Sequence, residues 1–149
     1  MKLMTGGILV LFLCLSGIAH AARMPLGPNP VIGGVQVSCM GVPTWIDDQI
    51  SDIAIAVPGA IVLSPALGSW PPVVQVFVYA HECAHHLPAI GSNENAADCW
   101  AIKLGRNQGW INRQGLQVIQ AYFQNNAGDW THLPGALRIQ QMQACFTTP

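Results

Sequence analysis

The chain has 149 residues, with six Lys and Arg against seven Asp and Glu and a formal net charge of −1. That balance gives no electrostatic footprint for nucleic acid or for an anionic membrane surface, and excludes both as partners. Only 9% of the residues are charged, well below the usual quarter or so, so each charged group is informative on its own.

Lys2, an apolar run from Gly6 to Ile18 and the small residues of Ala19-His20-Ala21 have the layout of a secretory signal. The run is too short to span a bilayer. Cleavage after Ala21 predicts an exported chain, residues 22–149, with no membrane span and enough length for one domain. Cys39, Cys83, Cys99 and Cys145 then remain. An even number in an exported chain predicts two disulfides, in any of three connectivities.

Residues 23–34 are rich in Pro and Gly and predict an irregular lead-in to a short strand over Val35–Ser38. Ile46, Ile50, Ile53 and Val57 recur at helical spacing, Thr44 with Asp47 resembles a capping box, and Pro58-Gly59 ends the pattern, which predicts a helix over 45–56. Ala60–Leu63 is β-prone and bounded by Pro and Gly, hence a strand. The prolines at 71 and 72 then open a breaker-free run from Val73 to Leu87, too long for a buried strand and read as a helix. Ser92 is the expected N-cap of a second helix ending at Gly105, and further helices are expected over 113–125 and 134–145. Trp100, Trp110, Trp130, Tyr122 and Phe123 are expected in the core or at its rim. The class is α+β.

On the helix over 73–87, His81 and His85 lie one turn apart on one face, where both imidazoles can reach one zinc ion. Glu82 stands one step round the helix, placed to take a proton from water beside the metal. Cys83 points away from that face, and His86 is turned about 100° from His85, which suits packing better than ligation. A catalytic zinc needs a third protein ligand and an open position. Glu94, the only other glutamate, lies in the first turn of the next helix and can be folded back to the metal. Asp98 is one turn further on the same face. It is suited to hold a ligand histidine by a hydrogen bond and is the rival for the third ligand position. Cys83 and Cys99 read as disulfide partners, of each other or of Cys39 and Cys145. Arg138 is expected in an ion pair near these helices.

HECAHH followed by NENAADCWA resembles the gluzincin class of zinc metallopeptidases, with His-Glu-x-x-His and then Glu-x-x-x-Asp on a following helix. It is most similar to the prenyl-protease and heat-shock-protease relatives and to small bacterial neutral zinc metallopeptidases. The resemblance implies a small β-sheet packed on a mainly helical zincin-like core. It implies one Zn2+ held by His81, His85 and Glu94, with Glu82 as general base and Asp98 supporting a ligand. WTHLPGALRIQQM, residues 130–142, is similar to the Thr-His-Pro segment of those peptidases, with Leu133 where proline is usual, and so implies His132 as an oxyanion donor. Ala60–Leu63 falls where they keep an edge strand for extended substrate.

The expectation is an exported zinc metallopeptidase acting on peptide or protein substrates. Two rivals share the ligands: an amidase acting on cell-wall peptides, and a non-catalytic exported binding module that keeps the metal as a folding staple. A base beside the metal speaks against the second.

Overall fold

A computed structural model describes residues 23–148, so the expected signal at 1–21 lies outside the described residues. The described residues are α+β, with six short strands followed by four helices. Strand β1 is Met24–Gly27, β2 Val31–Ile32, β3 Val35–Gln36, β4 Thr44–Ile46, β5 Ala54–Val57 and β6 Ala60–Leu63. The helices are α1, Pro72–Ala84; α2, Glu94–Gln108; α3, Arg113–Phe123; and α4, Gly135–Thr147. No helix among the described residues is long and apolar enough to cross a membrane.

The main sheet has the order β1-β4-β6-β5, with β4 and β6 parallel and the other pairs antiparallel. Strands β2 and β3 form a separate hairpin. The helix expected over 45–56 does not form: its ends are β4 and β5. Apolar residues in two strands joined by a turn happen to fall at helical intervals, and pairing with β6 outweighs the local pattern. The residues read as a cap have other partners. Asp47 accepts the Gln49 N–H through Oδ1 at 2.9 Å, closing the intervening turn, and takes Arg23 Nε on Oδ2 at 2.7 Å. Pro58-Gly59 is the hairpin turn between β5 and β6, with Gly59 at φ 75°.

Strand β6 forms as expected, but it lies inside the sheet, paired with β4 and β5. The edge strands are β1 and β5. Ile61 and Leu63 of β6, no more than 1% exposed, belong to the core on which α1 rests, and Val62, equally buried, points to the other face of the sheet. From that position α1 also packs against α2 and α3, burying Val74, Phe77, Val78, Tyr79 and Ala80. It begins at Pro72, where a missing N–H is harmless. It ends at Ala84, three residues earlier than expected, in tighter bonds from His86 N–H to Cys83 O and Leu87 N–H to Ala84 O. His85 keeps a helical backbone, φ −63° and ψ −19°, so the one-turn spacing of the histidines survives.

Asn93, rather than Ser92, caps α2 by accepting the Ala96 N–H at 3.0 Å. The helix runs past Gly105 to a left-handed cap at Gly109. Gly105 serves close packing instead: a Cβ there would lie 2.5 Å from Ile111 Cδ1. Trp130, expected at the core, is fully exposed.

Two disulfides, Cys39–Cys83 and Cys99–Cys145, fasten α1 to the segment before β4 and α2 to α4. They close 44 and 46 residues of chain, a span for which loop-closure entropy gives about 4 kcal/mol each. Replacing Cys99 and Cys145 together by alanine is expected to lower the unfolding free energy by roughly 2–5 kcal/mol, read from urea melts of the oxidised chain.

Candidate metal centre

α1 supplies His81 and His85, and the connection from His85 to Glu94 turns α2 back so that its first residue meets them. His81, His85 and Glu94 form a group that could hold a metal ion, their ligand atoms all within 4.8 Å of one another. His81 Nε2 is 3.1 Å from His85 Nε2 and 2.9 Å from Glu94 Oε2, and His85 Nε2 is 3.4 Å from the same oxygen. Ligands placed tetrahedrally at roughly 2.0–2.1 Å from a zinc-sized ion are about 3.3–3.4 Å apart. The triangle is therefore close to the size an ion requires.

The far sides of both rings fix which atoms face inward. His85 Nδ1 is 2.6 Å from Gly91 O, an acceptor only, so Nδ1 carries a proton and donates it. His81 Nδ1 donates in the same way to Asp98 Oδ1 at 2.8 Å. In their neutral forms both Nε2 atoms then present lone pairs, and Glu94 adds a carboxylate oxygen. Three electron-pair donors meeting within 3.4 Å are mutually repulsive unless a cation lies among them.

Metal-free, a proton takes that place. Burial would lower the His81 pKa, but the hydrogen bonds to Asp98 and Glu94, with the negative charge of Asp98 and Glu82, outweigh it and push it up to about 9. Glu94 moves the opposite way: burial would raise it, and the bond and charge of His81, with His132 and His85 nearby, hold it below its ordinary value.

Asp98, at 1% exposure, lies outside that group. Its carboxylate takes His81 on one side, and Arg138 Nε and Nη2 on the other, both at 2.7 Å. Burial would raise its pKa, and the Arg138 and His81 bonds outweigh this and hold it low. Arg138, expected in an ion pair, is thus two contacts from the metal group, with its guanidinium 4.8 Å over the Phe123 ring.

Glu82 stands beside the group without joining it. Burial raises its pKa, against the lowering charges of His81 and His85 and the nearby Ala56 backbone of β5. His132 reaches the centre from the loop before α4, its Nε2 2.9 Å from Glu94 Oε2 and its ring 5.8 Å from that of His81. Asp129 shapes that loop, accepting the N–H groups of Thr131 and His132 and the Thr131 hydroxyl, bonds that hold its carboxyl far below the usual range. His86 stays out of the ligand group, with Nε2 buried and unpartnered among the described residues. Cys83 is taken up by its disulfide.

These groups open into a cleft of about 710 Å³. One wall is β5 with the residues around it, and another includes Trp70, Phe77 and Phe123. Sequence reasoning missed both β5 and the Gly91 carbonyl. The signal for the second was present, since a glycine in a short interhelical turn lets a carbonyl face back toward the histidine before it. No family model, curated protein or solved structure matches the chain.

Metal must displace the proton on His81 at any pH below about 9. Affinity for a probe zinc ion, measured by chelator competition, should therefore rise about tenfold per pH unit between pH 7 and 8 and level off near pH 9. Asp98→Asn should weaken binding about 10–100-fold by replacing the charged acceptor that orients His81 with a neutral amide.

Proposed function

We propose that this chain is an exported zinc metallopeptidase with a zincin-like core. The observation that carries the reading is a half-buried carboxyl group, Glu82, beside three converging metal donors and facing a cleft. Two imidazoles and one carboxylate are a donor set suited to zinc, and three protein ligands leave a coordination position open. The two disulfides fit export to an oxidising compartment.

Zinc in this position supplies Lewis acidity, polarising a substrate carbonyl and making water nucleophilic near neutral pH. Glu82 takes the proton from that water and delivers it to the departing amine. Its raised pKa brings it closer to neutrality, where a group can both accept and return a proton. His132 Nε2, on the same side of the centre as Glu94, serves as donor to the oxygen on which negative charge develops. Asp129 and Thr131 hold the opposite ring nitrogen, at 3.2 and 2.9 Å.

The free edge of β5 suits an extended peptide. Ser64 N–H donates to Ile53 O, which puts the odd-numbered residues of this strand toward β6. By the alternation of an antiparallel pair, Ala54 and Ala56 turn their amide groups outward. Ala56 and Glu82 both line the cleft, so this edge lies beside the base.

Glu82→Gln should retain one zinc per chain and lose about 100-fold or more of peptide hydrolysis in a peptide-library cleavage assay. Equal cleavage by wild type and variant would reject the base role. Failure of the zinc-loaded wild type to cleave any peptide would reject the peptidase reading.

A further inference from the structure

Two clefts flank α1. The metal donors lie on one side of the helix, and on the other Val76, Ala80 and Cys83, spaced at i, i+4 and i+7, form the floor of a cleft of about 320 Å³. The two clefts share no lining residue. Asn29 and the segment 36–38 line the second from the side of the β2–β3 hairpin, and the end of α2 with Trp110 lines it from the other. The floor residues are no more than 3% exposed and Cys83 is fastened to Cys39, so the core fixes the shape of this cleft.

Trp110 is held in place before any ligand arrives. Gly109, at φ 81°, reverses the chain at the end of α2, and the Ile111 N–H donates to Gly105 O at 3.0 Å. The indole then lies against Gly105, where a Cβ would come within 2.7 Å of its Cζ3, and its Nε1–H donates to Gln108 Oε1 at 2.9 Å. A partly buried ring fixed in this way is preorganised, and a ligand that covers it has little left to order.

The polar groups decide what that ligand is. No residue lining the cleft carries a charge, and burial raises the pKa of Tyr79, its one titratable group outside a disulfide. An ion entering would lose water and meet no counter-charge. Asn29, Gln36 and Ser38 are exposed, and their side chains make no hydrogen bond among the described residues. The Gln108 amide accepts from Trp110 and keeps two N–H donors. Donors and acceptors side by side suit hydroxyl groups, each of which does both, whereas a wholly apolar ligand would leave the amides it covers unpaired. An extended peptide would need main-chain partners, and the Val37 N–H is already given to Pro30 O at 3.0 Å. A sugar ring meets both demands, with an apolar C–H face for the indole and hydroxyls for the amides.

We propose that this cleft binds a neutral saccharide unit, with Trp110 as its platform and the amides of Gln36 and Gln108 as hydroxyl partners. The volume lies near the lower end of the range for small-molecule sites, about 300–1,000 Å³, which suits a single ring better than a long segment of glycan. The site is independent of the metal centre and of the peptidase reading. It holds the chain to a sugar and performs no chemistry on it.

The test titrates methyl β-glucoside and N-acetylglucosamine separately into the exported chain and follows the indole N–H resonances. At least one of the two sugars should shift Trp110 saturably and leave Trp70, in the metal cleft, unmoved. Gln36→Ala and Gln108→Ala, both at exposed positions, should each weaken that binding about tenfold. No saturable shift of Trp110 with either sugar, or unchanged affinity in both variants, would overturn the site. Inorganic phosphate, benzyl alcohol and N-acetylalanine methylamide serve as charged, apolar and peptide probes, and tighter binding of any of them than of both sugars at Trp110 would overturn the saccharide class. That comparison uses wild type alone and decides the matter should a variant fail to fold.

Discussion

The carboxylate of Asp98 joins three helices. From α2 it accepts one bond from His81 on α1 and two from Arg138 on α4, at 2.8, 2.7 and 2.7 Å. A charge at 1% exposure is tolerable only when its lone pairs are occupied, and leaving out one partner of such a cluster costs about 3–5 kcal/mol. The complete cluster contributes little net stability relative to well-packed apolar side chains. Its consequence is positional: α1, α2 and α4 can sit only where His81 and Arg138 both reach the same carboxylate. That fixes the tautomer and direction of His81, and since Glu94 is one turn before Asp98 on α2, it brings Glu94 to His81 as well.

His85 obtains the same constraint more simply. Its Nδ1 proton goes to the Gly91 carbonyl, a backbone group in the turn leading to α2. One imidazole is therefore oriented by a tertiary charge cluster and the other by a local turn. Both aim Nε2 at Glu94 Oε2, and β5 and the aromatic residues Trp70, Phe77 and Phe123 line the same cleft. Glu82 belongs to two of these parts, being on the motif helix and lining the cleft together with β5.

How much of this could be read from the sequence follows from the range of the interactions. The His81, Glu82 and His85 spacing is local and survives in α1 even though the helix stops at Ala84. The first-turn position of Glu94 and the one-turn step to Asp98 are also local, and held. The strands around β4 and β5 were misread because their identity is set by pairing with β6, a non-local partner that reverses the local signal of Ile46, Ile50, Ile53 and Val57. The same step moved the free sheet edge from Ala60–Leu63 to Ala54–Val57. Disulfide pairing was open among three arrangements because only the packing of α1 and α2 decides which cysteines meet. Arg138 was legible as an ion pair, but its place next to Asp98 required α4 to be docked.

The disulfides bear on what a metal would be for. Cys83 lies between His81 and His85 in sequence, and Cys99 follows Asp98, so both helices carrying the metal donors are already fastened covalently beside those donors. A structural metal earns conservation of its ligands in small folds that lack such crosslinks, and it is closed by four protein ligands with no ionisable group left over. Here the crosslinks supply the fastening, three donors meet among the described residues, and a half-buried carboxyl group stands next to them with its pKa raised by desolvation. A staple gains nothing from that carboxyl group, since burial makes its charged form unfavourable. A reaction that must take up and return a proton at the metal's open side does gain from it, which favours catalysis over reinforcement as the reason for the arrangement.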